Sequence, residues 1–432
     1  MLEWTVYLVV AVVGAWLIIR QARRLRATER MSRQAHAASG RSSREPVSLH
    51  PSLDPNRCVS IGACASACPE GDILGLVNGR AVLIEPQRCI GHGGCAAACP
   101  VDAITLVFGT ETRGVDIPHV RETFETNVEG IYIAGELGGM GLIRNAVAQG
   151  SRAAQSVARN RSRDPASLDV LIVGAGPAGL AAALQAHKDG LRYAVIDQYD
   201  MGGTILSYPR QKLVMTQPVE IPLYGRFTRR EVLKEELLEL WRDIVARTGV
   251  EVRTYERLET VTRPNGHFDI TTTKGTYTAR NVLLAIGRRG TPRKLGVPGE
   301  GTSKVTYRLI EPEQYRNGRV LVVGGGDSAV EAALSLSRED GTHVTLSYRG
   351  EAFGRVKPAN AEKIAAATRS GDVDVRLESE VVEIAPERVA LKENGDHREL
   401  SNDYVIVCAG GEVPTALLRR LGVEIETKFG SQ

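Results

Sequence analysis

The chain has 432 residues, of which 43% are hydrophobic and 24% charged, so it can form roughly two to four packed domains. The formal net charge is only +3, which does not favour a nucleic-acid partner. The 45 glycines indicate several close approaches between backbone and ligand rather than disorder.

The first predicted element is an uncharged run, WTVYLVVAVVGAWLII, at residues 4–19. As a helix it spans roughly 24 Å, somewhat less than a hydrocarbon core of about 30 Å, and Arg20 can reach the interface to close the gap. Arginines follow the run and Glu3 precedes it, so we expect residues 1–20 to form a single-pass anchor in the cell membrane, with the N-terminus outside and the rest cytoplasmic. The alternatives are a buried or interfacial helix, or a removed signal peptide.

A basic and polar stretch follows at residues 21–53. Between residues 20 and 45 the sequence has eight arginines against Glu29 and Glu45. This composition predicts a tether whose arginines contact anionic lipid head groups.

Six of the seven cysteines lie in the next segment, residues 54–107, which reads as a small α+β metal-binding domain. The run CVSIGACASACP at residues 58–69 returns 31 residues later as CIGHGGCAAACP at residues 89–100, which indicates an internal duplication. The spacing resembles that of bacterial two-cluster ferredoxins, in which the fourth cysteine of each run binds the cluster of the other run.

Both runs depart from the ferredoxin pattern at the second cysteine, which is replaced by Ile61 in the first run and by His92 in the second. The resemblance implies one cluster site with three thiolates and another with three thiolates and a nearby imidazole, namely Cys58, Cys64 and Cys99, and Cys68, Cys89 and Cys95 with His92. Three thiolates suit a 3Fe-4S cluster, or a 4Fe-4S cluster whose last iron takes histidine, water or another group. The alternatives are a decayed domain with structural zinc or no metal, and a His92 that faces solvent.

The fourth segment, residues 168–294, opens with the pattern strand, tight turn, helix and strand. In DVLIVGAGPAGLAAALQ, Gly174, Gly176 and Gly179 fit the G-x-G-x-x-G dinucleotide fingerprint, and Asp197 follows where a carboxylate can accept ribose hydroxyls. Such glycines let the backbone approach a pyrophosphate at the helix N-terminus. We expect FAD here.

A second fingerprint follows in residues 295–411, where GRVLVVGGGDSAVEAALSLS carries Gly324, Gly326 and Ala329 as G-x-G-x-x-A. The next predicted strand ends at Arg349. An acidic residue at this position would favour NAD, whereas a cation accommodates the 2′-phosphate of NADP, so we expect NADP to bind. Arg355 is expected to assist. The alternative is that Arg349 is a solvated surface residue and that NAD binds.

Two such folds, with AIGRRGTPRKLGVPGE between them, resemble the two-dinucleotide flavoproteins related to thioredoxin reductase and ferredoxin–NADP reductase. The MGGTI loop, with Gly203 and Thr204, resembles the family's loop beside the flavin. The resemblance implies an α/β fold with two Rossmann-like domains, for FAD and NAD(P), beside the ferredoxin-like domain and one transmembrane helix. Residues 412–432 would return to the FAD domain.

The C-terminal G-[IV]-[YF]-A-x-G-D segment of that family is missing from the end of this chain. A similar stretch, GIYIAGE, lies upstream within residues 110–160, with Gly135 and Glu136 at the G-D positions. The resemblance therefore implies a circularly permuted flavoprotein, which is plausible because domain termini often lie close together. The alternative is an unrelated strand and helix.

The C-x-x-C disulfide of thioredoxin reductases is absent, and Cys408 lies in an apolar strand as a predicted core residue. We expect electrons to pass between NADPH, FAD and the iron–sulfur clusters, and between the clusters and an unknown donor or acceptor protein, in either direction. No catalytic acid or base is predicted, and a homodimer is possible. The alternatives are reduction or oxidation of a small organic substrate, and a membrane-bound redox sensor without significant turnover.

Overall fold

A computed structural model describes most of the chain. The described residues are Tyr7, Val12, 14–16, Ile19, 29–30, Pro46 and 49–430, without 72, 87–88, 112–113, 140, 209, 211, 215–217, 230, 265, 289–290, 355, 357 and 413. Most of the predicted anchor and tether, and the predicted phosphate ligand Arg355, therefore lie outside the described residues. Within the described part, no helix combines the length and hydropathy that a bilayer crossing requires.

The chain divides into two compact units. The first, which we call the cysteine unit, comprises Met1–Val115 and Lys428–Gln432. The second, which we call the nucleotide unit, comprises Asp116–Thr427 and contains both glycine fingerprints.

From residue 49 to residue 110, the described part of the cysteine unit contains two small antiparallel strand pairs and two one-turn helices. Strands β1 (His50–Leu53) and β4 (Ile104–Val107) pair with each other, as do β2 (Leu74–Val77) and β3 (Arg80–Leu83). Helices α1 (Ala63–Ser66) and α2 (Gly94–Ala97) each follow a left-handed glycine. The first strand begins four residues before the predicted domain start at residue 54. The sequence analysis missed it because HPSL is polar, contains proline and lacks a strand pattern. These residues form a strand through their pairing with β4.

The remaining strands follow in chain order. They are β5 (Val115–Pro118), β6 (Ile131–Ile133), β7 (Leu168–Val173), β8 (Tyr193–Ile196), β9 (Leu213–Val214), β10 (Val219–Ile221), β11 (Gly225–Phe227), β12 (Val232–Leu233), β13 (Leu258–Thr262), β14 (Phe268–Thr272), β15 (Thr276–Leu284), β16 (Thr291–Pro292), β17 (Val305–Thr306), β18 (Arg319–Val323), β19 (His343–Ser347), β20 (Val373–Arg376), β21 (Ser379–Ile384), β22 (Arg388–Glu393), β23 (Asp396–Ser401), β24 (Tyr404–Val407), β25 (Gly411–Glu412) and β26 (Ile425–Lys428). The helices are α3 (Ile143–Val157), α4 (Pro177–Lys188), α5 (Lys234–Thr248), α6 (Asp327–Leu336), α7 (Pro358–Ser370) and α8 (Thr415–Arg420).

The first large sheet contains the first fingerprint. Strand β15 lies between β7 and β6 and is parallel to both, and β8 continues the parallel part beyond β7. The antiparallel strands β13 and β14 extend the sheet from the other half of β15. Strand β7 is buried along almost its whole length, as expected for a parallel strand covered on both faces.

Helices α3 and α4 pack against each other on this sheet. Helix α4 begins with Pro177, whose fixed φ suits the first helical position. The upstream segment that contains β6 and α3 is therefore part of the same layer structure as the first fingerprint.

The second large sheet is fully parallel, in the order β17-β24-β18-β19-β20, and contains the second fingerprint between β18 and α6. A three-stranded antiparallel sheet, β21-β22-β23, packs its apolar face against β18 and β24. Strands β16 and β25 pair where the chain passes between the two large sheets, and β5 pairs with β26.

Candidate functional sites

A cavity of about 1020 Å³ lies in the nucleotide unit and is lined by both fingerprints. Ten of the predicted cofactor residues line it, namely Gly135, Glu136, Gly174, Gly176, Asp197, Gly203, Thr204, Gly324, Gly326 and Arg349. Gly179 and Ala329 do not line it, because each lies in the helix that follows its fingerprint turn. The volume of the cavity lies at the upper end of the range of about 300–1,000 Å³ that is usual for ligand pockets.

The first fingerprint turn leaves no room for side chains. Gly174 has φ +105°, and a Cβ there would lie 2.5 Å from the Ala285 carbonyl oxygen. A Cβ on Gly179 would lie 1.7 Å from the Gly174 carbonyl oxygen. The turn is therefore held tightly against β15, and the N-terminus of α4 opens onto the cavity, where its N–H groups can bind a phosphate.

Asp197 lies at the end of β8 and is 8% exposed. Its Oδ2 accepts a hydrogen bond from the Ala175 N–H at 2.6 Å, and its Oδ1 accepts one from the Tyr199 N–H at 2.8 Å. Burial raises the pKa of this carboxyl group, and the two N–H donors oppose that rise. The carboxylate is thus fixed at the cavity wall with lone pairs left for ribose hydroxyls.

The loop with Gly203 and Thr204 is held by a buried lysine that the sequence analysis missed. A Cβ on Gly203 would lie 2.9 Å from the Gly176 Cα, so the loop lies directly against the first fingerprint. Lys234 is 6% exposed, and its ammonium donates to the carbonyl oxygens of Leu206, at 3.3 Å, and Tyr208. Burial lowers the pKa of Lys234. Nothing in the sequence distinguishes this lysine from an exposed first residue of an amphipathic helix.

The upstream segment contributes Glu136 to the same cavity. Glu136 and Thr204 both approach Gly287, since a Cβ on Gly287 would lie 3.9 Å from the Glu136 Oε2 and from the Thr204 Oγ1. The Gly135 N–H donates to the Gln149 Oε1 at 2.8 Å, which ties the turn after β6 to α3. The first residue of α3 also lines the cavity, as expected for a helix that starts beside the cofactor.

Helices α3 and α4 meet at Gly150. A Cβ on Gly150 would lie 1.9 Å from the Ala178 carbonyl oxygen in α4. This close contact fixes the upstream segment against the helix of the first fingerprint.

The second fingerprint is covered by an aromatic side chain. The Tyr348 ring lies so close to Gly325 that a Cβ there would be 2.1 Å from the ring, and it stacks on Phe353 with centroids 5.7 Å apart. Arg349 is exposed and lines the cavity. Cys408 is half-buried rather than fully packed, because it follows β24 at the cavity wall. The contact between Tyr348 and Gly325 was not predicted from the sequence.

Two contacts join the two fingerprint regions across the cavity. The Lys212 ammonium lies 2.8 Å from the Glu331 Oε2 in α6. The Arg308 guanidinium lies 4.7 Å from the centroid of the Tyr199 ring. All four side chains line the cavity, and none was singled out from the sequence.

In the cysteine unit, the thiols form two groups, each drawn from both halves of the repeat. Burial is the main cause that raises the pKa of Cys64, and negative charge on Cys58 and Cys99 adds to it. Burial likewise raises the pKa of Cys95 to about 11, with contributions from Cys89 and Cys68. These are the two sets that crossed ligation requires.

The donor sets fit iron–sulfur clusters. The Ala81 N–H donates to the Cys58 Sγ at 3.5 Å, and the Ala103 N–H donates to the Cys99 Sγ at 3.2 Å, as suits bound thiolates. No three His, Cys, Asp or Glu side chains among the described residues converge on a single metal ion. An iron–sulfur cluster does not require such convergence, because each thiolate binds a separate iron of the cluster. All seven cysteines are described, and none forms a disulfide.

His92 is half-buried and adjoins the second cysteine group in sequence. The Gly94 N–H donates to its Nδ1 at 3.4 Å. A neutral ring that accepts this hydrogen bond carries its proton on Nε2, which then offers no lone pair to iron. In this arrangement the His92 ring does not present a free nitrogen to iron. Ligation of iron by His92 is not tested by the structure and stays a prediction.

Comparison with known proteins identifies the family. The family model described as pyridine nucleotide-disulphide oxidoreductase matches residues 171–430, and the model of a 4Fe-4S dicluster domain matches residues 50–100. The chain belongs to the pyridine nucleotide-disulphide oxidoreductase family. It is an FAD-dependent oxidoreductase with NAD(P) and iron–sulfur cofactors, which confirms the enzyme class and cofactors expected from the sequence.

Relatives of this oxidoreductase include several reductases. The bacilliredoxin reductase Bdr of Bacillus subtilis is 31% identical over 60% of this chain and 82% of its own length. The ferredoxin–NADP reductase of Ignicoccus hospitalis is 31% identical over 60% of this chain and 83% of its own. The solved structure of the bacillithiol disulfide reductase Bdr from Bacillus cereus aligns with a TM-score of 0.54 and 30% identity, over 60% of this chain and 82% of its own.

Proposed function

We propose that this oxidoreductase passes electrons between NADPH and a partner protein by way of FAD and two iron–sulfur clusters. The observation that carries the proposal is the single cavity lined by both fingerprints. Bound FAD would supply the chemistry that links a hydride donor such as NADPH to one-electron carriers. The absence of a C-x-x-C pair from the sequence argues against disulfide reduction by the route that thioredoxin reductases use.

The side chains of the chain bind and orient the two nucleotides. Asp197 accepts hydrogen bonds from the ribose hydroxyls, and the N-terminus of α4 binds the pyrophosphate. Glu136 and Thr204 both line the cavity beside Gly287 and would contact the bound flavin nucleotide. Arg349 contacts the 2′-phosphate and favours NADPH over NADH.

The proposal includes circular permutation of the flavoprotein. Strand β6 pairs with β15 in the sheet of the first fingerprint, although it precedes that fingerprint in sequence. Strands β5 and β26 lie near the two chain ends that the single cut of a permuted flavoprotein would create, and they pair with each other. The sequence match also leaves about a fifth of the Bacillus subtilis relative unaligned, which is the share that a displaced C-terminal segment would take.

The membrane anchor at residues 1–20 and the lipid-binding tether at residues 21–53 stay part of the proposal. They are supported by the uncharged run at residues 4–19 and by the arginines that follow it. A homodimer also stays a prediction.

Steady-state kinetics of the full-length holoprotein test the proposed function. We expect NADPH-dependent reduction of a one-electron acceptor such as ferricyanide, with a clear preference for NADPH over NADH. Arg349→Ala should reduce the ratio of kcat/KM for NADPH to that for NADH by about tenfold, or about 1.4 kcal/mol. Arg388→Ala, in the exposed part of β22, is the matched control. Negligible turnover with normal nucleotide binding would instead support the redox sensor.

A further inference from the structure

The two cysteine loops share one backbone conformation but differ in their side chains. In the first loop Ser60 and Gly62 have φ of +62° and +70°, and in the second loop Gly91 and Gly93 have φ of +75° and +78°. A one-turn helix follows each loop. Any chemical difference between the two sites therefore comes from the side chains, above all at the position of the missing second cysteine.

The first site offers only three strong metal donors. A small cavity lies beside Cys58, Cys64 and Cys99. Among the described residues that line it, the Ser60 hydroxyl is the other side-chain heteroatom, and the rest are apolar or glycine. Ile61 lines this cavity at the place of the second cysteine, and its side chain has no donor atom.

The mouth of the first site is open to solvent, whereas its counterpart is covered. Val59 and Ile61 are 53% and 54% exposed. In the second loop the corresponding residues are half-buried, and the backbone of Leu49 lies against Gly91, where a Cβ would be 2.6 Å from the Leu49 carbonyl oxygen. The Cys89 Sγ lies 3.8 Å from the same oxygen. The chain thus shields one loop and exposes the other.

We propose that the first site has one iron position that no side chain among the described residues fills, and that a small thiolate from solution binds there. Iron of a thiolate-bound cluster is a soft site that prefers sulfur ligands. The apolar rim formed by Val59 and Ile61 admits a small alkyl thiolate. The proposal rests on the proposed function only in requiring a 4Fe-4S cluster at the first site.

Electron paramagnetic resonance of the full-length holoprotein, reduced with dithionite, tests this proposal. We expect 2-mercaptoethanol to shift one of two cluster signals in a saturable way. Ile61→Cys, which restores the second cysteine, abolishes the shift, and Ile61→Ala keeps it. His92→Cys, the same substitution in the covered loop, is the matched control and leaves the shift unchanged.

Three results would overturn the proposal: no thiol response in the wild-type protein, an equal response in Ile61→Cys, or a 3Fe-4S signal that Ile61→Cys converts to a 4Fe-4S signal. A different result would overturn the proposed function, namely that dithionite reduces the clusters whereas NADPH does not. Iron and sulfide counts on each variant show whether the substituted protein has kept its clusters.

Discussion

Nine consecutive residues of α4 in the nucleotide unit, 178–186, are buried, and most of them join a large core built mostly from buried Ala, Val, Leu and Ile side chains. Among the described residues of the cysteine unit, the apolar core cluster comprises four buried residues, Cys64, Leu74, Cys95 and Ile104, and two of these are predicted iron ligands. So small a core contributes little hydrophobic stabilisation. We therefore expect the nucleotide unit to be stabilised by packing and the cysteine unit to depend on its metal.

Removal of iron is expected to have the largest effect. Without clusters, the buried thiols lose the charge compensation that holds them as thiolates, so β2 and β3 should lose their amide protection. Hydrogen exchange followed by mass spectrometry should show rapid exchange in β2 and β3, with β7 unchanged. Equal protection of β2 in the apo and holo forms would contradict the comparison.

A methyl group at the contact between α3 and α4 should destabilise the nucleotide unit alone. In Gly150→Ala the new Cβ meets the backbone of Ala178, which cannot move without separating the two helices. We expect a loss of about 3 kcal/mol in the free energy of unfolding, together with weaker FAD binding. The matched control is Gly275→Ala, where a Cβ meets nothing within 4 Å. Equal stability of the two variants in urea unfolding would count against the packing.

Removal of the buried ammonium should have a smaller effect. Lys234→Met leaves the carbonyl oxygens of Leu206 and Tyr208 without their donor, which costs about 1–2 kcal/mol and loosens the loop beside Gly176. FAD dissociation, followed by flavin fluorescence, should be faster than in the wild-type protein, and Lys234→Arg should restore part of the affinity. Unchanged FAD dissociation in Lys234→Met would show that the loop does not need this anchor.

Acid sensitivity of the nucleotide unit gives the smallest predicted effect. Hydrogen bonds from the Arg319 side chain and backbone N–H lower the pKa of Asp403 to about 2. Because the folded-state pKa lies below the unfolded value of about 3.9, this stabilisation is present above pH ~4 and is lost as the pH falls toward 2. In urea unfolding Asp403→Asn should therefore lose less stability over that range than the wild-type protein. The exposed Asp396→Asn should behave like the wild-type protein, and identical acid profiles for all three would refute the assignment.

Sequence patterns predicted the elements whose signal is local. The glycine spacing around Gly174 and Gly324 predicted two strand–turn–helix units, and the structure has both. The cysteine repeat predicted two sites with shared ligands. Cys58, Cys64 and Cys99 line one small cavity, and the binding of iron by either set stays a prediction. Contacts between distant segments left no local signal. Lys234 and Tyr348 acquire their roles only when their elements pack, because neither residue type nor spacing specifies a partner far along the chain.

We propose that electrons from NADPH pass through the cofactors at both fingerprints and then through the clusters at both cysteine sites of this chain. Rapid anaerobic mixing of the full-length holoprotein with NADPH, followed by flavin absorbance and by freeze-quenched electron paramagnetic resonance, tests it most directly. The flavin should bleach first, and reduced-cluster signals should then grow at the same protein concentration, without any added mediator. A fully reduced flavin beside clusters that stay oxidised, although dithionite reduces them, would contradict the claim.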